Sequence, residues 1–202
     1  MSVVLPALDE AARVGPALRA LVATPGIDEV VLVDGGSADD TVARAEAVPG
    51  VLVLRCGRGR GLQLATGARH ATGDALLFLH VDCALPPGAP ATVRATLAQR
   101  GVVAGAFRLQ HRLEPGGARW IRPLLPLAGG HARRSRVPYG DQALFVRADA
   151  YRRAGGFARW RCSRTSTWPR ACGPRARSAS STRPSSRAPA ATPAARCGPR
   201  WP

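Results

Sequence analysis

The chain has 202 residues, which is enough for one domain with a real hydrophobic core, and no run approaches the roughly 18 apolar residues of a membrane span. Because its first ten residues, MSVVLPALDE, place no basic residue before the apolar stretch, we expect no secretory signal peptide. Five cysteines at irregular spacing, without a CxxC pair, predict free thiols in a reducing, cytoplasmic environment.

The formal net charge of +16 is unevenly distributed. Residues 1–149 hold all 13 acidic residues and 17 of the 29 basic residues, whereas residues 150–202 hold 12 basic residues and no acid. Every basic residue is Arg, and Asn is absent too, which indicates a GC-rich gene because Lys and Asn use A-rich codons. A nucleic-acid-binding protein is one interpretation of this charge. The tail lacks interleaved aromatic residues apart from Trp, so only non-specific phosphate binding would follow, and we expect no specific nucleic-acid partner.

Strand-like and helix-like segments alternate through the first hundred residues. The strands predicted in chain order are SVVLPAL, DEVVLVD, VLVLR and ALLFLHVD. Each is followed by a segment with helical spacing: EAARVGPALRALV, ADDTVARAEA, GLQLATGARHA and PGAPATVRATLAQR. Because continuously apolar strands alternate with helices, we predict an α/β fold with a mostly parallel sheet covered by helices on both faces.

The pattern changes after residue 101. VVAGAFRLQHRL is strand-like, RWIRPLLPLAGG has helical character, and QALFVRADAYRRAGG predicts a strand that leads into a short helix. From residue 159 onward the chain is rich in Arg, Pro and Ser, has no periodicity and holds few large apolar residues, so it cannot bury enough surface to offset its ordering entropy. We therefore predict a domain over residues 1–158 and a disordered tail over residues 159–202.

Polar residues follow each of the first four predicted strands. Asp9 and Glu10 follow the first, Asp34 ends the second, the sequence RCGRGRG follows the third, and His80 and Asp82 end the fourth. Ligands of parallel α/β sheets bind outside the carboxyl ends of the strands. Arginines bind phosphate and carboxylates hold hard divalent cations, so this edge suits a nucleotide diphosphate with its metal.

Each of these segments also has a simpler interpretation when it is taken alone. The sequence DGGSADDT contains Ser37 and Asp39, which are good helix caps, and GRGRG could be a flexible surface loop. Asp9 and Glu10 could simply favour the dipole of the next helix. A strand that ends in His80 and Asp82 could simply turn at the surface.

Together the segments resemble glycosyltransferase family 2, whose members have the GT-A fold. SVVLPALDEAARV, VVLVDGGSADDT, GRGRGLQLATGARHATGD and LLFLHVDCALPPG carry the resemblance in this order, and GDQALFVRADAYRRAGGF extends it to Phe157. The subgroup that they resemble most is often labelled transferase 2, radical-SAM/selenodomain-associated. The resemblance implies a GT-A-type, Rossmann-like sheet and transfer of a sugar from a nucleotide diphosphate donor to an acceptor hydroxyl, with inversion.

The resemblance also implies roles for individual residues. Asp34 resembles the acid that contacts the nucleotide base, and Asp82 matches the last carboxylate of the metal-binding Asp-x-Asp signature, with His80 replacing the first. The imidazole favours Mn²⁺ somewhat over Mg²⁺. Asp9 and Glu10 stand where the family usually has Asn-Glu. The implied nucleotide-sugar site comprises Pro6, Asp9, Glu10, Asp34, Gly36, Ser37, Arg58, Arg60 and Gln63.

The general base that the family uses is missing from the sequence. It is normally the Asp of a Glu-Asp pair after a GGF motif; GGF is present at residues 155–157, but no acid follows it. If CSRTSTW at residues 162–168 is written in GC-rich codons and read from the last base of each codon, it encodes Leu-Glu-Asp-Leu-Asp-Leu. We infer a frameshift between residues 157 and 161, which leaves the tail out of frame and the activity impaired.

A nucleotidyltransferase would share the sheet and the metal. Such enzymes usually have a Gly-rich loop with a Lys directly after the first strand, which PALDEAARVG lacks. The partners expected for the preferred function are a nucleotide-sugar donor and an unidentified acceptor. Without a membrane span, contact with a membrane would be peripheral.

Overall fold

A six-stranded sheet forms the centre of the computed structural model, which describes residues 1–111, 143–157 and 194–197, the backbone alone for 108–111 and 194–197. The strands are β1 (Ser2–Ala7), β2 (Glu29–Asp34), β3 (Val51–Arg55), β4 (Ala75–Phe78), β5 (Cys83–Ala84), β6 (Ala104–Ala106), β7 (Arg108–His111), β8 (Leu144–Arg147) and β9 (Ala194–Cys197). The helices are α1 (Ala11–Val22), α2 (Thr41–Glu46), α3 (Arg60–His70), α4 (Ala89–Leu97) and α5 (Ala148–Arg153).

The order of strands in the sheet is β3-β2-β1-β4-β8-β6. The first four strands are parallel to one another, whereas β8 pairs antiparallel with both β4 and β6. All six residues of β1 are buried, as expected for a central parallel strand that is covered on both faces. The predicted α/β fold with a mostly parallel sheet is therefore confirmed.

Two apolar clusters cover the two faces of the sheet. Val3 and Leu5 of β1 belong to one cluster, to which α1, α2 and α4 contribute, and Val4 belongs to the other, to which α3 and α5 contribute. Neighbouring side chains of a strand point to opposite faces, so one short strand anchors both layers. This packing fixes the carboxyl ends of the parallel strands relative to one another.

Pro6 lies at the point where β4 separates from β1. The pairing of β1 with β4 ends at Val4 and Phe78, whereas the pairing of β1 with β2 continues to Ala7 and Asp34. Proline has no N–H to donate and cannot extend a ladder on that side. The sheet therefore opens between the tips of β1 and β4.

The predicted fourth strand is shorter in the structure. β4 ends at Phe78 rather than at Asp82. The amide of Leu79 still donates to the carbonyl oxygen of Val4 at 3.0 Å, and the chain then turns, with the amide of Cys83 donating to the carbonyl oxygen of His80 at 3.0 Å. The prediction that His80 and Asp82 end the fourth strand was therefore wrong, because the strand stops at Phe78 and both residues follow it in this turn.

Other predictions for the second half were partly correct. VVAGAFRLQHRL forms two short strands, β6 and β7, instead of one, while β8 and α5 appear where a strand and a short helix were predicted. The predicted helix RWIRPLLPLAGG lies outside the described residues. β9 lies within the predicted disordered tail and pairs with β5 and β7, which departs from that prediction for these four residues.

The cysteines also differ in part from the expectation of free thiols. Cys56 is free, whereas Cys83 is disulfide-bonded, with its partner outside the residues whose side chains are described. In the described ranges, no helix combines the length and the hydropathy that crossing a membrane requires.

Candidate functional site

The candidate site lies at the carboxyl ends of β1, β2, β3 and β4. The chain runs from β1 outward through β2 to β3 and then returns to place β4 on the other side of β1. The strand order therefore reverses between β1 and β4, which is where open α/β sheets bind their ligands. The topology brings the acids after β1, β2 and β4 to three neighbouring strand ends, as the sequence predicted, with the arginine-rich loop after β3 on the same edge.

Asp34, the last residue of β2, is buried and holds its own loop. Its Oδ2 atom accepts a hydrogen bond from the amide of Gly36 at 2.9 Å, and both carboxylate oxygens lie 3.2 Å from the amide nitrogen of Ser37. The hydroxyl of Ser37 donates to Oδ1 at 2.5 Å. Gly36 has a φ of 90°, which favours glycine at this turn.

Asp9 joins the loop after β1 to the loop after β2. Its amide donates to the hydroxyl oxygen of Ser37 at 2.9 Å, and its Oδ1 atom accepts from the amide of Ala38 at 2.8 Å. Asp9 has a φ of 54°, in the left-handed region that Asn and Asp tolerate better than other side chains. This conformation gives a physical reason for a short polar side chain at the position of Asp9.

The amino terminus of α1 is capped from the neighbouring loop. The amide of Glu10 donates to Thr41 Oγ1 at 2.7 Å, and the amide of Ala11 donates to Asp39 Oδ2 at 3.0 Å. The hydroxyl of Thr41 also donates to Asp39, which lowers the pKa of the Asp39 carboxyl below its ordinary value. Because these groups satisfy the first N–H groups of α1, that helix end is already occupied.

The sequence did not reveal that Asp39 and Thr41, in the loop after β2, accept hydrogen bonds from the amides at the start of α1. Asp39 was recognised only as a cap for its own helix. The only signal is a cluster of short polar residues, SADDT, and such a cluster does not reveal which helix it caps. Glu10 itself is buried, and its Oε2 atom lies 3.7 Å from Nη1 of Arg13.

Gln63 is buried beneath the crevice and bonds to two strand ends. Its Nε2 group donates to the carbonyl oxygen of Ala7 at 2.7 Å and to that of Val33 at 3.0 Å. A Cβ atom at Gly35 would lie 2.8 Å from Gln63 Nε2, so glycine is needed there for this approach. Gln63 thus ties α3 to the tips of β1 and β2, and both hydrogens of its amide group are already used.

The amino terminus of α3 is open, in contrast to that of α1. Gly59 caps this 11-residue helix with a φ of 137° and no side-chain hydrogen bond. Arg58 and Arg60 flank it; both are exposed, and no ion pair holds either of them within the described part of the chain. Free N–H groups and two guanidinium groups make this end suitable for an anion. Next to it, burial raises the pKa of the Cys56 thiol.

His80 and Asp82 lie half-buried in the turn after β4. Among the described residues, no group of three or more His, Cys, Asp or Glu side chains is arranged to hold a metal ion. The turn therefore offers at most two protein ligands, one imidazole and one carboxylate. Such a pair suits a cation whose remaining ligands come from a bound ligand and water.

Asp149 is the acid that lies nearest in the sequence to the GGF motif, after which the general base is expected, and its carboxylate is engaged in ion pairs. Asp149 begins α5, where its carboxylate bonds to Arg147 and Arg153 at 3.3 Å and 3.0 Å. Asp141 and the region after the GGF motif lie outside the described residues.

Comparisons with known proteins agree with this architecture. Residues 2–159 match the profile of the family described as glycosyl transferase family 2. No curated protein matches the chain. A mannosyltransferase from Pyrobaculum calidifontis, solved in complex with GDP-Man and Mn²⁺, is similar in structure with a TM-score of 0.56 and 22% identity; the match covers 77% of this chain and 46% of that one.

A second solved structure is glucosyl-3-phosphoglycerate synthase from Mycobacterium tuberculosis, in complex with Mn²⁺, UDP and phosphoglyceric acid. It matches with a TM-score of 0.48 and 23% identity, over 74% of this chain and 56% of that one. The chain thus spans about half the length of these two proteins.

Proposed function

The chain belongs to glycosyltransferase family 2, and from this we propose that it forms the donor half of an enzyme that transfers a sugar from a nucleotide diphosphate to an acceptor hydroxyl. The motifs quoted above support assignment to the radical-SAM/selenodomain-associated subgroup and an inverting mechanism. The mannosyltransferase was solved with GDP-Man, and the glucosyl-3-phosphoglycerate synthase has also been solved with UDP-Glc.

One observation carries the proposal: the two helix amino termini at the crevice differ. Asp39 and Thr41 already satisfy the amino terminus of α1, whereas that of α3 is uncapped and lies between Arg58 and Arg60. A diphosphate bound at the crevice would therefore meet unsatisfied N–H groups and positive charge on the α3 side. Charge-assisted hydrogen bonds from arginine to phosphate are stronger and more specific in geometry than neutral ones.

His80 and Asp82 fit a divalent cation shared with the donor. One imidazole and one carboxylate are too few for a closed protein site, and diphosphate oxygens with water would complete the ligand set. The similar structures contain Mn²⁺ or Mg²⁺. When bound, such an ion would neutralise the diphosphate as it leaves the sugar. The residues of the chain position the donor: Asp82 and His80 at one end of the crevice, Arg58 and Arg60 at the other.

Acceptor activation requires a base that the described residues do not supply. We propose that the frameshift inferred after Phe157 removes the Glu-Asp pair and leaves this chain able to bind nucleotide but impaired in transfer. The alternative of a nucleotidyltransferase has no observation in its favour in the described residues. We also propose that the protein acts in the cytoplasm.

Substitution of the two arginines tests the proposal. We expect the double variant Arg58→Gln/Arg60→Gln to bind UDP and GDP at least about tenfold more weakly in calorimetry with Mn²⁺, because two charge-assisted bonds are lost. Arg19→Gln/Arg44→Gln removes two exposed arginines of α1 and α2 and is the matched control, since it changes the net charge equally. Equal affinities for the two double variants would contradict the proposal.

A further inference from the structure

The carboxylate of Asp39 bonds to the first residues of two helices. Its Oδ2 atom accepts a hydrogen bond from the amide of Ala11 in α1 at 3.0 Å, and its Oδ1 atom accepts one from the amide of Thr41 in α2 at 2.9 Å. The hydroxyl of Thr41 donates to the same carboxylate, and its oxygen accepts the amide of Glu10 at 2.7 Å. Asp39 and Ala11 are 28 residues apart in the chain, so these bonds join the loop after β2 to the loop after β1.

The loop after β1 comprises residues 8–10 and contains an unfavourable backbone conformation. Asp9 has a φ of 54°, which costs free energy for a side chain other than glycine and persists only where neighbouring groups hold it. Glu10 precedes α1, and its side chain makes no capping hydrogen bond, so the first amides of that helix depend on acceptors from elsewhere. Asp39 and Thr41 supply these acceptors at the two residues that directly follow Asp9.

We propose that Asp39 and Thr41 are positioning residues of the donor site, which hold the loop after β1 in the conformation that binds a nucleotide diphosphate. This inference rests on the proposed function, in which Asp9 and Glu10 lie at the donor. Neither positioning residue needs to touch the donor: Thr41 is fully buried, and both oxygens of Asp39 accept amides of the two loops. When these bonds are lost, the binding-competent loop is populated in only a fraction of the molecules, and the apparent affinity falls by that fraction.

Amide hydrogen exchange on the chain without nucleotide tests the hold on the loop. In Asp39→Ala we expect the Ala11 amide to exchange roughly five- to tenfold faster, because its acceptor is removed, while the unfolding temperature stays near that of the parent. Asp40→Ala is the matched control: it removes the same charge one residue later, from an exposed side chain that makes no capping hydrogen bond. Equal exchange at Ala11 in the two variants would overturn the proposal.

The hydroxyl of Thr41 is tested by a pair of variants. Thr41→Val keeps the shape of the buried side chain but removes the acceptor of the Glu10 amide, whose exchange should accelerate by a similar factor. Thr41→Ser keeps the hydroxyl and should retain exchange near that of the parent. Unchanged exchange at Glu10 in Thr41→Val, or equal acceleration in Thr41→Ser, would contradict the role of the hydroxyl.

Calorimetric titration of UDP and GDP with Mn²⁺ tests whether the donor site depends on this hold. We expect Asp39→Ala to bind both nucleotides about three- to tenfold more weakly, whereas Asp40→Ala, which loses the same negative charge, should bind at least as tightly as the parent. Faster exchange at Ala11 with unchanged affinity would show that Asp39 only caps α1, and it would overturn the proposal. If Asp39→Ala does not fold, Thr41→Val replaces it in the titration, with Thr41→Ser as its control.

The two measurements separate this inference from the proposed function. If the parent chain binds neither nucleotide, the proposed function fails. The exchange experiment still decides whether Asp39 holds the loop after β1, because it needs no ligand.

Discussion

Gln63 donates a hydrogen bond from Nε2 to the carbonyl oxygen of Ala7, 56 residues earlier in the chain, at 2.7 Å. The same group bonds Val33, so one buried amide connects α3 with the tips of two parallel strands. The floor of the crevice therefore depends on a side chain that offers hydrogens to two carbonyl oxygens. A carboxylate of the same shape offers none when it is ionised.

We predict that Gln63→Glu destabilises the fold in a pH-dependent way. At pH 7 the carboxylate would face two carbonyl oxygens in a buried position, and the cost should be about 2–4 kcal/mol. Burial and these oxygens raise the folded-state pKa of the new carboxyl above its unfolded value, so its penalty is full above the folded pKa and shrinks as the pH falls and it becomes protonated. Urea unfolding from pH 4.5 to pH 8 measures this.

Gln99→Glu places the same change at an exposed position near the end of α4 and is the control for Gln63→Glu. It should alter stability by less than about 0.5 kcal/mol at every pH. A pH-independent loss in Gln63→Glu would show that the amide hydrogens do not support the strand tips.

Gly67 permits close packing of α3 on the sheet. A Cβ atom there would clash with Val4 Cγ1 and lie 3.0 Å from Val33 Cγ2. We therefore predict that Gly67→Ala destabilises the fold by about 1–3 kcal/mol. Gly15→Ala, inside α1, meets only the flexible end of Arg19 at 3.4 Å and should be neutral or stabilising by up to about 1 kcal/mol. Denaturant titration of both variants checks the prediction, and destabilisation of equal size would contradict it.

The buried hydroxyl of Tyr151 should make the free energy of unfolding fall at alkaline pH. Burial raises its pKa to about 12, and its hydroxyl oxygen accepts the amide of Phe157 at 3.0 Å. Because the folded-state pKa is above the ordinary value of about 10, the stabilisation is complete below pH 10 and is lost as the pH rises towards 12. Unfolding free energies should fall by about 1–2 kcal/mol between pH 9 and pH 11.5 beyond any change in Tyr151→Phe. Parallel curves for the two proteins would contradict this.

The inferred frameshift predicts recovery of activity. A one-base correction between the codons for residues 157 and 161 should restore the Glu-Asp pair, and the general base it supplies is worth about 10²–10⁴-fold in rate. The assay compares the chain as given with the corrected chain on the same nucleotide sugars and measures released nucleotide diphosphate. Equal turnover would show that catalysis does not need the missing segment.

Much of the fold could be predicted because its signals are local. Apolar runs and helical spacing give β1, β2, β3 and the helices between them to within a few residues. The end of β4 could not be predicted, since the apolar run LLFL continues past Phe78 to Leu79 and the strand stops where Pro6 removes a ladder donor on β1. That cause lies some seventy residues away in the sequence.

From the sequence, the residues of the site could be assigned to one edge of the sheet, but the contacts that their side chains make could not be predicted. Alternation of strands and helices places the carboxyl ends of parallel strands on one edge of the sheet, so the presence of Asp34 and Asp82 at that edge was predictable, whereas the order of the strands was not. Whether a polar side chain faces a ligand or its own loop depends on the backbone around it. Asp34 and Gln63 are both used internally, which only the structure shows.

The central claim is that the turn after β4 holds a cation shared with a bound nucleotide. Calorimetric titration of UDP and GDP, with Mn²⁺ and with chelator, compares the parent chain with Asp82→Ala and with Asp74→Ala. Asp74 precedes the same strand at the opposite edge of the sheet and is 89% exposed, so it is a matched control. The account predicts Mn²⁺-dependent binding to the parent and to Asp74→Ala, and its loss in Asp82→Ala with the unfolding temperature unchanged. Equal Mn²⁺-dependent affinity in Asp82→Ala would contradict it.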